Sequence, residues 1–160
     1  MDMALLAAYM LAVLLLLATP GPVVALVMGT AAREGSRRAF MTVLGTNSAS
    51  LMLMVLAALM LLGVVALSPV MLSLLGVLGS LYIGWSAVSS LMHKAQGVEA
   101  VPARGGLLKG FLVGISNPKD ILFFVAFFPQ FIAITDDFTL SMLTLSLVWV
   151  VFDITVLSLY

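Results

Sequence analysis

The sequence predicts an all-α polytopic membrane protein, a bundle of five transmembrane helices whose first and fourth members are discontinuous. Three observations carry that expectation. The 160 residues are 63% hydrophobic and 9% charged, where soluble domains carry about 25% charged residues. Mean hydropathy is +1.25. The apolar stretches are long enough to cross a bilayer, and two of them contain proline motifs that a continuous helix cannot accommodate.

The first span is expected over about Ala4–Met28, within an uncharged run from Met3 to Ala32. Thr19-Pro20-Gly21-Pro22 lies inside it. Pro20 and Pro22 lack the N–H groups that would bond the carbonyls of Leu16 and Ala18. In lipid, freed carbonyls are tolerated only where backbone faces protein or a wet cavity, and such breaks mark substrate sites in transporters. A packing kink is the simpler alternative. A basic loop, Arg33–Arg38, follows.

No Asp, Glu, Lys or Arg occurs from Ala39 to Met92. Ser68-Pro69 divides this run into span two, about Phe40–Ala66, and span three, about Pro69–Met92, in a tight hairpin. The loop 93–106 carries Gln96-Gly97, Pro102 and Arg104-Gly105-Gly106, all turn signals. Span four covers about Leu108–Ile132 and is interrupted by Asn117-Pro118-Lys119-Asp120. After the acidic turn Thr135-Asp136-Asp137, span five runs from about Leu140 to Tyr160, with Asp153 inside it. Small residues at Gly76, Ser80 and Gly84, and at Gly110 and Gly114, are spaced for close helix contacts.

Arg33, Arg37, Arg38, Lys94, Arg104 and Lys109 lie in or beside the first and third loops; the intervening turns have no cation. The positive-inside rule then places loops 31–39 and 93–109 in the cytoplasm and the N-terminus outside. Met1-Asp2 does not open a cleaved signal peptide, because no positive segment precedes the long apolar stretch.

The polar groups within the spans are the candidate site. A buried charge costs at least ~2.5 kcal/mol at a helix centre, so a partner inside the bundle is expected. Lys119 lies roughly 15 Å from one face and Asp153 roughly 20 Å from the other, depths that allow contact across a core of about 30 Å. A zwitterion or proton site and a structural ion pair both fit. Asn117 brings an amide able to satisfy local backbone, and Asp120 adds a second carboxylate. Asn47, Ser48 and Ser50 in span two are weaker candidates, since such groups often only bond neighbouring helices. The substrate-handling set is therefore Pro20, Gly21, Pro22, Asn47, Asn117, Pro118, Lys119, Asp120 and Asp153.

Pro20 and Pro118 are 98 residues apart. Shifting by that offset lays span one on span four and span two on span five. The counterpart of span three would fall beyond residue 160. With three spans per repeat the copies would be inverted, as in secondary transporters. One membrane domain, 1–160, is expected, with repeat one over 1–92, the cytoplasmic loop 93–106, and an incomplete repeat two over 107–160.

Thr19-Pro20-Gly21-Pro22, the Arg33–Arg38 loop, Gly45, and Asn117-Pro118-Lys119 running into Phe123-Phe124-Val125-Ala126-Phe127-Phe128-Pro129-Gln130-Phe131 resemble the lysine exporter family (LysE/RhtB). The resemblance covers nearly the whole chain. It implies a bacterial inner-membrane exporter of amino acids or close derivatives, driven by the proton gradient. The family's two motifs map onto Pro20, Gly21 and Pro22 and onto Asn117, Pro118 and Lys119. Family members usually have six spans, and many carry a glycine where this chain has Ala49.

The function expected is export of a small amino acid or related zwitterion. Helix-end N–H groups would hold its carboxylate, and freed carbonyls its ammonium. Asp153 or Asp120 would carry the proton, tuned by Lys119. The alternative is a truncated, non-transporting subunit that docks a partner helix, or a second copy of itself, where span six would lie. With its partner helix absent, the fifth span should show lipid an unusually polar or small-residue face. A passive channel is weakened by the lack of charged rings. No hydrolytic triad, phosphate loop or metal cluster appears, so neither an enzyme nor a cofactor is expected. Zero net charge points away from nucleic acid. Lone His93 cannot make a zinc site, and without cysteine there is no disulfide.

Overall fold

A computed structural model describes residues 1–63 and 104–160, together with Ser68, Val70, Leu74, Val77 and Leu81. Apart from those five positions, span three with its Gly76–Ser80–Gly84 stripe, Pro69, and residues 93–103 of the polar loop, with His93 and Lys94, lie outside the described residues. The rest is an all-helical membrane bundle, with no strand among the described residues.

Helix α1 spans Met3–Ala18. Asp2 caps it: Oδ1 accepts from the Ala4 and Leu5 N–H groups, each at 2.9 Å, two of the donors that every helix start leaves free. Its leucines and alanines are strong helix formers, and it stops where Pro20 and Pro22 remove the next donors. Helix α2, Pro22–Glu34, then opens with proline at its first position, where no N–H is needed. The two are bent by 56°, so span one is broken where the prolines predict.

Gly35 alone separates α2 from α3, Ser36–Leu61, with φ +83°, a left-handed value that favours glycine. The expected basic loop is therefore mostly helix: Arg33 ends α2, and Arg37 and Arg38 open α3. Arg38 pairs with Glu34 at 3.4 Å across this corner.

Helix α4 spans Leu107–Ile115 and α5 spans Pro118–Leu122. Between α4 and the segment Pro118–Ile134 the axis bends by 52°. The aromatic run does not continue as α-helix. Phe123–Phe127 is a π-helical turn and Phe128–Ile134 is 3-10 helix. Pro129 lacks an N–H for the α pattern, and Gln130 Nε2 folds back onto the Ala126 carbonyl at 3.2 Å. Helix α6, Phe138–Leu159, is capped by Asp137, which accepts from Leu140 N–H at 2.7 Å.

Helices α3 and α6 are each long and apolar enough to cross a membrane, and each bent pair can form one further span. Helices α3 and α4 lie backbone to backbone, joined by small residues. A Cβ on Gly45 would strike the Leu107 carbonyl, and one on Gly110 would strike the Thr42 carbonyl. A Cβ on Gly114 would sit 2.9 Å from that of Ala49. The Gly110/Gly114 spacing thus marks a true close contact.

The main core joins α1, α6 and the π-helical turn. Tyr9, Phe123, Phe124, Phe128 and Trp149 are buried there, with Phe124 and Trp149 edge to face at 4.6 Å. Tyr9 satisfies its hydroxyl on the Leu145 carbonyl at 3.1 Å. The exposed stripe of α6 runs through Leu140, Leu143, Leu147 and Val151 and continues with Thr155 and Ser158.

The bundle has two distinct ends. At one, the Asp2 N–H bonds the Ile134 carbonyl at 2.7 Å, bringing the N-terminus beside the acidic turn. At the other, Gly105 N–H bonds Glu34 Oε1 at 2.7 Å and Arg38 Nε bonds the Gly105 carbonyl at 2.9 Å. The two basic segments therefore meet on one side, the arrangement that charge segregation predicts.

Candidate functional site

The site forms where the two helix breaks come together. At the first, Thr19 through Gly21 is extended: Thr19 has φ −82° and ψ 113°, Gly21 φ −155° and ψ −173°. No side chain caps α2. At the second, Asn117 is extended with φ −71° and ψ 111° and caps α5, its Oδ1 accepting from Lys119 N–H at 3.3 Å. Pro118 takes the first position of α5. The rings of Pro20, Pro22 and Pro118 are exposed. They shape the site through backbone, not through contact with its buried charges.

Lys119 joins the breaks. Its Nζ donates to the Leu16 carbonyl at 2.8 Å and to the Thr19 carbonyl at 2.7 Å. Leu16 is an acceptor that Pro20 frees. The Ala18 carbonyl, freed by Pro22, receives the Tyr160 hydroxyl at 3.4 Å. Both carbonyls thus gain donors from distant parts of the chain, although that of Leu16 also accepts the nearby Thr19 N–H at 3.2 Å. Gly21 lies under the Lys119 stem, with an added Cβ placed 3.7 Å from Nζ. That is ordinary contact, and the backbone there is extended, so neither space nor conformation demands glycine.

Asp153 does not pair directly with Lys119. No ion pair joins them within 4 Å among the described residues. Asp153 Oδ2 instead accepts from Asn47 Nδ2 at 2.9 Å, linking α6 to α3. Asp120 and Asp153 remain within electrostatic reach of Lys119. All five polar residues are buried: Asn47, Asn117, Lys119, Asp120 and Asp153 are 1–7% exposed. One cation with two nearby carboxylates, in low dielectric, forms a mutually dependent cluster. Asn117 Nδ2 is buried near the Asp120 carboxyl, with no partner within hydrogen-bond geometry.

Of the other span-two candidates, Ser48 is exposed and bonds the Leu44 carbonyl of its own helix at 2.8 Å. Ser50 is buried but bonds Thr46 O at 3.3 Å. Both serve α3 itself. Two participants were not evident from sequence: the Thr19 carbonyl and the Tyr160 hydroxyl. A phenol at the end of span five, one donor for one orphan carbonyl, was the available signal for Tyr160.

Residues 14–160 match the family described as LysE type translocator. The chain is 28% identical over 130 residues to a leucine efflux protein of Klebsiella pneumoniae, covering 78% of this chain and 61% of that protein. It is 29% identical over 133 residues to a leucine efflux protein of Enterobacter sp., covering 79% and 63%. An uncharacterized membrane protein of Pseudomonas aeruginosa is 31% identical over 134 residues, covering 78% and 62%. No solved structure matches. The alignments thus span about three fifths of these relatives' length. With the match running through both breaks and the buried cluster, the chain belongs to the LysE type translocator family.

Proposed function

We propose that the chain exports a small apolar amino acid, leucine or a close relative, across the bacterial inner membrane, driven by the proton gradient. The observation that carries this reading is the Lys119 ammonium bound to the Leu16 and Thr19 carbonyls. It links two broken helices through groups that only a broken helix makes available.

An amino acid needs an anion site beside a cation site. The anion side is supplied by the free N–H groups at the start of α2, by the unpartnered Asn117 Nδ2 and by the third Lys119 N–H. The cation side is supplied by Asp120 and Asp153. A substrate ammonium has the same chemistry as Lys119 Nζ, so it can also compete for the Leu16 and Thr19 carbonyls. Displaced, Lys119 would swing toward the carboxylates and loosen the tie between the breaks. Substrate binding is in this way coupled to a change in bundle geometry. Asp153, held by the neutral Asn47, carries the coupled proton. The two breaks belong to inverted repeats within one membrane domain, and the basic end faces the cytoplasm.

A second reading makes the chain a membrane subunit that completes its site with a partner helix or a second copy.

The test is uptake of a labelled amino-acid panel into everted membrane vesicles energised by a proton gradient. Leucine should accumulate with the wild-type chain and not with Lys119→Met. Asp153→Asn should lose gradient-driven accumulation yet keep leucine exchange. Equal accumulation by wild type and Lys119→Met would overturn the site assignment. Uptake only after co-expression of a partner segment would establish the subunit reading.

A further inference from the structure

At the basic end, a pocket of about 300 Å³ opens beside the start of α4. It plays no part in the buried cluster. Arg38, Arg104 and Lys109 line it together with Gly105, Gly106 and the first turn of α4. The backbone there is prepared for an anion. No side chain caps α4, and the first intrahelical bond is Gly110 N–H to the Gly106 carbonyl, at 2.8 Å. The N–H groups of Leu107, Leu108 and Lys109 precede it and lack helical partners. Gly106 has φ +131°, and an added Cβ would lie 3.5 Å from Arg38 Nε. The nearby acid, Glu34, is engaged by Arg38 and Gly105 N–H. That leaves the cationic lining in excess.

The remaining wall is apolar. Leu107, Leu108 and Leu112 line the same pocket; Leu108 is 69% and Leu112 51% exposed. Leu108 and Leu112 are one helical turn apart, so they form a strip running from the cations toward the bilayer core. A soluble anion gains nothing from such a strip, whereas an amphiphile with an anionic head fits both parts.

We propose that this pocket binds an anionic phospholipid, its phosphate on Arg104, Lys109 and the α4 N–H groups and an acyl chain along Leu108 and Leu112. Juxtamembrane cations contribute about 1 kcal/mol each toward anionic lipid. Bound there, the lipid would brace the Gly105–Gly106 corner that fastens α4 to α3.

The experiment uses the full chain, delipidated in detergent and titrated with phosphatidylglycerol, phosphatidylcholine or inorganic phosphate. Bound lipid is counted by native mass spectrometry and thermal midpoint is followed in parallel. Phosphatidylglycerol should be retained and raise the midpoint; phosphatidylcholine and phosphate should not. Arg104→Gln with Lys109→Gln should lower the phosphatidylglycerol preference by about tenfold or more. Arg33→Gln with Arg37→Gln, at the same end but outside the pocket, should keep it. Equal loss in both variants would reduce the effect to general surface charge. An equal response to inorganic phosphate would make the pocket a free-anion site. Equal retention of both lipids by the unmodified chain would overturn the proposal without any variant.

Discussion

The two helix breaks bend the chain by 56° and 52°, yet they are built on different principles. The second satisfies its backbone locally on both sides. Asn117 caps α5, and Ser116 Oγ bonds the Leu112 carbonyl at 2.5 Å, one turn back. The first has local support only on its α1 side, where the Thr19 N–H reaches the Leu16 carbonyl at 3.2 Å and Thr19 Oγ1 the Leu15 carbonyl at 2.9 Å; no side chain caps α2. Its Thr19 and Ala18 carbonyls take their donors from Lys119 and Tyr160, 100 and 142 residues away in sequence. A break capped on both sides can form with its own helix, but one that also draws on remote donors is completed only in the assembled bundle. The first break is therefore the one poised to respond when a competing ammonium arrives.

This asymmetry predicts that the first break is more sensitive to changes in the second than to changes in itself. The largest effect should come from Lys119→Met. It removes two charge-assisted bonds, leaves the Thr19 carbonyl without its donor, and should cost about 2–3 kcal/mol in stability with loss of transport. Gly21→Ala, within the first break, should stay within about 0.5 kcal/mol of wild type, because the added methyl makes only ordinary contact. Chemical denaturation in detergent checks both, and a larger loss for Gly21→Ala would break the comparison.

Next in size is Gly110→Ala. The new Cβ meets the Thr42 backbone carbonyl, which cannot step aside as a side chain would, so about 1–3 kcal/mol should be lost through separation of α3 and α4. Hydrogen exchange should rise along both helices. Asn117→Ala should cost about 1 kcal/mol by removing the α5 cap, and exchange at Lys119 N–H should report it. Tyr160→Phe should be smallest, about 0.5 kcal/mol or less, since its bond is long at 3.4 Å.

Much of this architecture is legible in the sequence because proline and glycine act locally. Pro20 and Pro22 identify the Leu16 and Ala18 carbonyls as orphans, and both carbonyls do take distant donors. Gly110 and Gly114 announce a close contact that α3 fills. The identities of the donors were not legible, because pairing across more than a hundred residues leaves no mark in a single sequence. Charge drew attention to Lys119 with Asp153, whereas the bonded partner of Asp153 is the neutral Asn47. The run from Phe123 to Ile134 reads as continuous helix by hydrophobicity. Only backbone geometry reveals its π and 3-10 turns. The Arg33–Arg38 stretch reads as loop by charge, but Gly35 with φ +83° turns the chain in one residue and leaves the arginines on helices.

The central claim is that the Lys119 ammonium sits on the carbonyls of the first break. Solid-state NMR measures this directly in bilayers. With Lys94 and Lys109 replaced by arginine, a ¹⁵Nζ label reports Lys119 alone, and ¹³C′ labels report Leu16 and Thr19. Strong dipolar dephasing should connect Nζ to both carbonyl carbons and weaken when leucine is added in excess. Dephasing to the Asp153 carboxylate carbon instead, with none to Leu16 or Thr19, would contradict the account.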